Sequence, residues 1–269
     1  MSQEIHSSLL HELVAEQAAR RPDAIALSLG DTTATYQRLQ GVADGFAAKM
    51  RAHGVQPGET VAVLMHRTPR RVVGLLAILR AGAAYLGLDP DEPQERHSRL
   101  VAEAGVRFLI SDLDSGLPEG LKVLTPETPV DETADPGAPS QTSDDPAYIT
   151  YSTDEPSVVA VSHRSVNQLI ARQGLTIDPD DVFLHGAPLA SDAAALEVWA
   201  ALTNGCRLAV LPPGPIDVDR LARVIAAEKV TVLALPEELL QELTDAYPAV
   251  LASVPKVVPA PLTTATAAL

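Results

Sequence analysis

A short polar segment in the middle of the chain carries the side chains best suited to contact a charged ligand. After an apolar run at 147–151 come Ser152, Thr153, Asp154, Glu155, Pro156 and Ser157. Hydroxyl groups donate hydrogen bonds to phosphate oxygens, whereas adjacent carboxylates repel phosphate or, less commonly, bind Mg²⁺. Two carboxylates near a phosphate oppose it by roughly 1 kcal/mol per charge pair even at a high effective dielectric constant. The proline also lacks a backbone N–H, so the composition predicts poor phosphate binding.

Three other residues have side chains suited to ligand binding or catalysis. Asp192 follows Ser191 at the start of a predicted helix, which favours a first-turn position, with binding of a ligand ammonium group as the alternative. His163 has the side chain of a general base, but no serine, cysteine or aspartate is placed to complete a triad, so a helix start is favoured. Cys206 precedes a predicted strand and is expected in the core.

The composition is that of an acidic globular protein. Of the 269 residues, 46% are hydrophobic and 20% are charged, which favours a folded chain over a disordered one. The formal net charge of -15 favours solubility and excludes nucleic acid and anionic membranes as partners, because both carry phosphates. A single cysteine excludes an internal disulfide, and no cluster of cysteines indicates a metal site. Without a secretion signal or an apolar run of about 18 residues, a cytoplasmic location is predicted.

Strands alternate with helices along most of the chain. Apolar runs of strand length lie at 24–29, 34–36, 60–65, 83–88, 107–110, 147–151, 182–184, 207–211, 230–235 and 256–258. Helical patterns lie at 8–19, 37–53, 70–80, 93–104, 165–172, 192–202, 219–228 and 237–245. This alternation predicts an α/β fold with parallel sheets covered on both faces. The segment 125–146, rich in proline and acidic residues, is predicted to be a loop that buries little surface.

Six stretches, in order, resemble motifs of one family. They are TYQRL at 35–39, PGETVAV at 57–63, LRAGAAYLGLDP at 79–90, EPQER at 92–96, VSHRSV at 161–166 and EVWAALTNG at 197–205. Together they resemble the N-terminal part of the amino-acid adenylation domains of nonribosomal peptide synthetases, in the adenylate-forming, AMP-binding superfamily. The resemblance implies two parallel-sheet αβα lobes without a complete barrel or C-terminal lid. One lobe would comprise 54–176, with the loop 125–146 inside it, and the other 1–53 plus 177–269.

The chain departs from the family pattern where the family binds nucleotide. The family's phosphate loop reads YTSGSTGxPKG, whereas no glycine lies between Tyr151 and His163 here, and Ser157 stands in the place of the lysine. The segment is also about three residues shorter between these anchors. After 256–258 the sequence reads PAPLT instead of a GGE-type turn, and the family's ribose-binding aspartate, hinge and lid lysine would lie beyond Leu269. These differences predict that ATP and Mg²⁺ binding is lost and that no residue is catalytic.

Three functions agree with these observations. The favoured one is a noncatalytic pseudo-adenylation domain, an inactive homologue of ATP-dependent amino-acid adenylating ligases, acting as a structural or docking element in nonribosomal peptide biosynthesis. The first alternative is the N-terminal half of a split amino-acid-adenylating ligase, and the second is an ATP-independent module that binds a small amine through Asp192. The expected partners are other domains or proteins of a peptide-synthetase assembly line, or a second copy of the chain.

The resemblance also suggests where such a partner would bind. A full adenylation domain would cover the end of the second lobe, so apolar residues there are expected to be left open. The interface candidates are Leu239, Leu240, Leu243, Val257 and Val258. For the leucines at 239 and 243, membership of the lobe's own core is the favoured interpretation.

Overall fold

The computed structural model describes residues 8–126, 130–137, 139–151 and 158–260, without the side chains of 259 and 260. Within these ranges the chain forms two six-stranded sheets flanked by helices, with no closed barrel. Both sheets are mainly parallel, because short helices connect successive strands. The predicted α/β class with two parallel sheets is confirmed.

The first sheet takes its strands from the middle of the chain. Its strands are β3 (Thr60–Leu64), β4 (Ala84–Leu88), β5 (Phe108–Ser111), β6 (Lys122–Leu124), β7 (Pro146–Tyr151) and β8 (Val158–Ser162). Their order across the sheet is β6-β5-β3-β4-β7-β8, and only the β7–β8 pair is antiparallel. Val61 in β3 lies opposite Tyr85 on one side and Phe108 on the other, which sets the register at the centre of the sheet.

The second sheet joins strands from both ends of the chain. Its strands are β1 (Ile25–Leu29), β2 (Thr32–Thr35), β9 (Val182–His185), β10 (Arg207–Val210), β11 (Val232–Pro236) and β12 (Lys256–Ala260). Their order is β12-β11-β9-β10-β1-β2, so β1 pairs in parallel with β10, and Leu27 lies opposite Leu208. The predicted division into a lobe of 54–176 and a lobe of 1–53 plus 177–269 also assigns helices and loops to each lobe, and it stays a prediction.

The helices follow the apolar spacing seen in the sequence. They are α1 (Leu10–Arg20), α2 (Tyr36–Ala52), α3 (Pro69–Arg80), α4 (Gln94–Glu103), α5 (His163–Arg172), α6 (Asp192–Thr203), α7 (Val218–Glu228), α8 (Glu237–Ala246) and α9 (Pro248–Ala252). Among the helices in the described ranges, none combines the length and apolar character needed to cross a membrane. Strand β6 and helix α9 were not predicted from the sequence, and the list of predicted strands also lacks β8.

The two sheets share one hydrophobic core. Helix α6 is buried along almost its whole length, because alanines and leucines surround its single tryptophan. The Nε1 atom of Trp199 donates to the hydroxyl of Tyr85 in the first sheet at 3.0 Å. Tyr36 at the start of α2 donates its hydroxyl to the carbonyl of Cys206 at 2.7 Å. These bonds satisfy polar atoms in the apolar interior, and the cysteine is a buried core residue, as expected.

The proline-rich and acidic segment contributes more to packing than the sequence indicated. Between 125 and 146, the described residues form turns and irregular structure, as expected for a loop. However, Val130 packs against the main core, and Arg38 forms an ion pair with Glu132 at 3.2 Å. A Cβ atom on Gly45 would lie 2.5 Å from the carbonyl oxygen of Asp131. Glycine on α2 lets the loop backbone approach closely, while most of the described loop residues are exposed or only partly buried, as expected.

Candidate functional site

The segment predicted to be a degenerate phosphate loop, 152–157, lies outside the described residues. Its flanking strands are described: β7 and β8 are antiparallel neighbours, and Tyr151 lies opposite Val158. Six residues therefore connect two directly paired positions. Their side chains provide three hydroxyl groups and two carboxylates as hydrogen-bonding groups. The segment contains neither glycine nor lysine.

Asp192 occupies the first turn of α6, as favoured from the sequence. Ser191 is the N-cap, and its Oγ accepts a hydrogen bond from the backbone N–H of Ala194 at 3.3 Å. The Asp192 side chain is buried, and its Oδ1 accepts from the hydroxyl of Tyr148 at 2.6 Å. Burial raises the pKa of Tyr148, so the phenol keeps its proton and donates a hydrogen bond to the carboxylate. The amine-binding role of the aspartate stays a prediction.

His163 is the first residue of α5 and is fully buried, in agreement with the favoured helix-start position. Its Nδ1 accepts from the backbone N–H of Leu10 at 3.1 Å, which joins α5 to the start of α1. The ring meets that of His11 edge to face, with 5.7 Å between the centroids. Burial lowers the pKa of His163 to about 4 and that of His11 to about 3, so both imidazoles are neutral at physiological pH. A structural role explains this geometry better than general-base catalysis.

Sequence analysis missed a buried polar cluster formed by Arg71, His185 and Glu197. The Nη2 atom of Arg71 lies 2.6 Å from Nε2 of His185, and Nδ1 of that histidine lies 2.8 Å from Oε2 of Glu197. Because a guanidinium can only donate, the histidine Nε2 must accept and its Nδ1–H must donate to the carboxylate. The arginine belongs to α3 and the other two residues to β9 and α6, so the cluster connects the elements of the two sheets.

Glu197 also fixes the backbone of the loop between β9 and α6. Its Oε2 accepts from the N–H groups of Gly186 and Ala187, both at 3.1 Å. Burial raises the pKa of Glu197 to about 8, and these backbone donors act in the opposite direction. The usable signal in the sequence was a single acidic residue in the otherwise apolar helix AAALEVWAAL, because a charge within a buried helix needs partners.

Arg67 holds the neighbouring loop after β10. Its guanidinium donates to the carbonyl groups of Gly186, Leu211, Pro212 and Gly214, at distances between 2.7 and 3.3 Å. The loops that follow β9 and β10 are thus tied to the segment that follows β3. The carboxyl ends of strands from both sheets consequently meet at one edge of the molecule, where α/β proteins commonly bind ligands.

A groove of about 1020 Å³ opens beside these loops and helix α8, and we refer to it as the acidic groove. Its apolar surface comes from Ile216, Leu221, Ala234, Leu235 and Leu239, among others. Its acidic residues are Glu237, Glu238, Glu242 and Asp245. None of its lining residues within the described part of the chain is a lysine or arginine. This combination suits a ligand or segment that carries both apolar and cationic groups.

Two of the five interface candidates are not available to a partner. Leu243 is fully buried on α8, in agreement with the favoured core interpretation, whereas Val258 is buried on β12, so the interface prediction is wrong for that residue. The apolar face of α8 packs on the lobe's own core, where Leu243 belongs to one cluster with residues of α7 and β11. Leu239, Leu240 and Val257 are only partly buried, and the first of these lines the acidic groove.

The described residues contain no group of three or more histidine, cysteine, aspartate or glutamate side chains placed to hold a metal ion. The two acidic residues of the sequence that were considered for Mg²⁺, Asp154 and Glu155, lie outside those residues, so the loss of Mg²⁺ binding stays a prediction.

Comparisons of sequence identify relatives of the chain. The family model described as AMP-binding enzyme matches residues 14–267. One of the linear gramicidin synthase proteins of Brevibacillus parabrevis is 36% identical over 248 residues, which cover 87% of this chain and 3% of that protein. Malpibaldin synthetase from Mortierella alpina is 34% identical over 245 residues, covering 86% of this chain and 4% of that protein. The chain therefore spans only a small fraction of these relatives.

Solved structures agree with the sequence relatives. The N-terminal subdomain of Klebsiella oxytoca NpsA matches with a TM-score of 0.88 at 27% identity, covering 94% of this chain and 68% of that one. The nonribosomal peptide synthetase FmoA3 matches with a TM-score of 0.84 at 32% identity, covering 92% of this chain and 28% of that one. Both matches extend over more than nine-tenths of this chain.

Proposed function

We propose a function from the premise that this chain belongs to the AMP-binding enzyme family, as part of a nonribosomal peptide synthetase adenylation domain. The proposed function is that of a noncatalytic docking element in a peptide-synthetase assembly line. The observation that carries the proposal is the composition of the six residues between the paired ends of β7 and β8.

A phosphate-binding loop needs backbone N–H groups that point at the ligand and, commonly, a cation. Glycine permits the backbone conformations that aim several N–H groups at one oxyanion. The segment 152–157 has no glycine and no lysine, and Pro156 removes one N–H group. Asp154 and Glu155 add two negative charges where the triphosphate would be bound. Each of these differences weakens nucleotide binding, so ATP and Mg²⁺ are not expected to act as cofactors.

The environment of Asp192 disfavours the binding of a small amine. The Asp192 residue is 9% exposed, and one of its carboxylate oxygens already accepts a hydrogen bond from the hydroxyl of Tyr148. An incoming ammonium group would have to share that carboxylate with the phenol in a largely desolvated position. Burying a second polar group there costs free energy unless its own hydrogen bonds are all satisfied.

The acidic groove provides the surface for docking. Its apolar floor favours contact with aliphatic side chains, and its four carboxylates, with no lysine or arginine among the described lining residues, favour a basic partner. The occupant proposed for the groove is a segment of a neighbouring synthetase domain that combines apolar residues with lysine or arginine. The synthetase relatives contain far more chain than this region, which makes such a neighbour available in proteins of this kind.

Calorimetric titration with MgATP tests the loss of nucleotide binding. The wild-type chain is expected to bind with a dissociation constant weaker than about 1 mM, because a Kd in the micromolar range requires about 8 kcal/mol of binding free energy. Replacing 152–157 by a segment of the pattern SGSTGxPKG should strengthen binding at least about tenfold, through restored N–H donors and one lysine. The matched control is a graft of equal length with the lysine changed to serine.

Micromolar binding of MgATP by the wild-type chain would contradict the proposal. The N-terminal half of a split ligase would then be favoured, because the chain spans 68% of the NpsA N-terminal subdomain and a second chain could supply the rest. Pyrophosphate exchange that depends on an amino acid, after mixing with a chain that carries the remaining part, would establish this alternative.

Charge reversal in the acidic groove tests docking. The double variant Glu238→Lys and Glu242→Lys changes two exposed groove residues and should weaken binding to the adjacent synthetase domain at least about tenfold, more strongly at low salt. Asp31→Lys with Glu119→Lys makes the same change in net charge at exposed sites outside the groove, and its effect should stay below about twofold. Equal effects of both pairs, or no binding by the wild type, would refute docking at this groove. Light scattering that shows a dimer broken by the groove variant would identify a second copy as the occupant.

A further inference from the structure

A second cavity lies between the loops that follow the strands of the two sheets, and we refer to it as the interlobe cleft. It has a volume of about 530 Å³. Its ionisable lining residues are His66, Arg67, Arg71, Asp89 and Asp91. They lie beyond the carboxyl ends of β3 and β4 or in the first turn of α3. Among the described residues, none that line the cleft belongs to helix α8, although the cleft shares Gly186, Pro188 and Ile216 with the acidic groove.

Arg71 is the unusual residue of the cleft. Only 4% of its surface is exposed, and its side chain forms no ion pair with any residue in the described ranges. One hydrogen bond is formed by its guanidinium, from Nη2 to His185. Its Nε is buried and has no partner among the described residues. A guanidinium has five N–H groups, so most of its donor capacity is unused.

A buried cation in this state costs free energy. Charged side chains removed from water are normally paired with a carboxylate or fully hydrogen-bonded. Glu197 is the nearest buried carboxylate of the cluster, but the imidazole of His185 stands between it and the guanidinium. Although burial lowers the pKa of Arg71 to about 10, the group stays charged at neutral pH. An anion in the cleft would supply the missing counter-charge.

Two neighbouring features add to the positive potential. Arg67 is bonded only to backbone carbonyl groups, so its charge is also without a carboxylate partner among the described residues. Helix α3 begins at Pro69, and its N-cap Thr68 makes no side-chain capping bond; its Oγ1 is buried without a partner in the described part of the chain. The partial positive charge of this uncapped helix end favours an anion nearby.

Two aspartates restrict the kind of anion. Asp89 is half-buried and Asp91 is exposed, and both line the same cleft. Their charges disfavour a bare polyanion such as a triphosphate but accept hydrogen bonds from hydroxyl or ammonium groups. We propose that the interlobe cleft binds a small molecule that carries one oxyanion, a phosphate or a carboxylate, toward Arg71 and a hydrogen-bond donor toward Asp89.

The test uses inorganic phosphate and acetate as separate probes of the wild-type chain. Amide shifts in nuclear magnetic resonance spectra should change and saturate for residues 66–72 with at least one probe. The probe with the tighter saturation identifies a phosphate or a carboxylate as the preferred group. Calorimetry should then show at least about tenfold weaker binding by Arg71→Gln, since a hydrogen bond to a charged group is lost.

The matched control is Arg70→Gln, which removes the same charge from the adjacent but exposed position and should change affinity less than about twofold. Equal weakening by both variants would show general electrostatic attraction and overturn the proposal. Absence of saturable shifts in residues 66–72 of the wild-type chain with both probes would also overturn it. The amide-shift measurement uses only the wild-type chain, so it tests anion binding in the cleft even if Arg71→Gln fails to fold.

Discussion

Acidification from pH 7 to pH 5 is expected to weaken the fold by about 6 kcal/mol through three buried histidines, about 2 kcal/mol for each. His11, His163 and His185 are all buried, and burial is the first cause that lowers the pKa of each from its ordinary value of 6.5. They stay neutral in the folded chain, whereas the unfolded chain binds protons as the pH falls below 6.5. Since the unfolded state then holds more protons, acid shifts the equilibrium toward unfolding.

The pH window follows from the same values. The destabilisation begins as the pH falls through the unfolded pKa of 6.5 and continues until the folded pKa values of about 4 for His163 and about 3 for His11 are reached. Carboxylates with lowered pKa values, such as that of Asp181, add their own loss mainly below the range tested. Glu197 acts in the opposite direction, because its pKa of about 8 in the folded chain lies above the unfolded value of 4.5, and it offsets about 2 kcal/mol of the histidine loss between pH 7 and pH 5.

Urea unfolding at pH 7 and pH 5 measures this effect. In His163→Gln the pH-dependent loss should be about 2 kcal/mol smaller than in the wild type, because one proton-binding group of the unfolded chain is gone. The exposed His53→Gln should leave the loss unchanged. A wild-type free energy of unfolding that is constant between these two pH values would contradict the burial of neutral imidazoles.

Replacing Glu197 by leucine is expected to lower the free energy of unfolding by about 4 kcal/mol, because three buried donors lose their acceptor. These donors are the His185 ring N–H and the backbone N–H groups of Gly186 and Ala187. Helix propensity and hydrophobicity alone would suggest the opposite result, since leucine suits a buried helix. The expected sign therefore distinguishes hydrogen bonding from apolar packing at this position.

Glu197→Gln is the matched variant for this experiment. It keeps one oxygen that can accept from the same donors and should cost at least about 2 kcal/mol less than the leucine variant. Thermal and urea unfolding at pH 7 give both values, with Glu119→Gln at an exposed position as the reference. If leucine is tolerated as well as glutamine, the acceptor role of Glu197 is wrong.

The sequence predicted regular elements well where apolar spacing was strong and long. The predicted helix at 192–202 and strand at 60–65 differ from α6 and β3 by one residue at an end. Strand β6 was missed because it has three residues, two of them exposed, on an edge of the sheet. Helix α9 was missed because a five-residue helix is too short to display the apolar repeat of a longer one.

The site was harder to predict because its residues come together only through tertiary contacts. Nothing in the spacing of Arg71, His185 and Glu197 along the chain indicates that their side chains touch. A leucine at position 243 is equally suited to a partner interface and to the lobe's own core. Only the packing of α8 distinguishes these two positions. Asp192 was easier, because a serine followed by an acidic residue is a local signal for a helix start.

The pairing of β1 with β10 has a consequence for synthesis on the ribosome. Leu27 reaches its partner Leu208 only after the roughly 180 residues between them have been made, whereas β3, β4 and β5 can pair much earlier. Strands β3, β4 and β5 are thus free to pair during translation, while the β1–β2 hairpin waits for its partner strand. Until β10 emerges, the apolar residues of β1 that are buried in the folded chain lack this partner, which exposes the hairpin to aggregation and to chaperones.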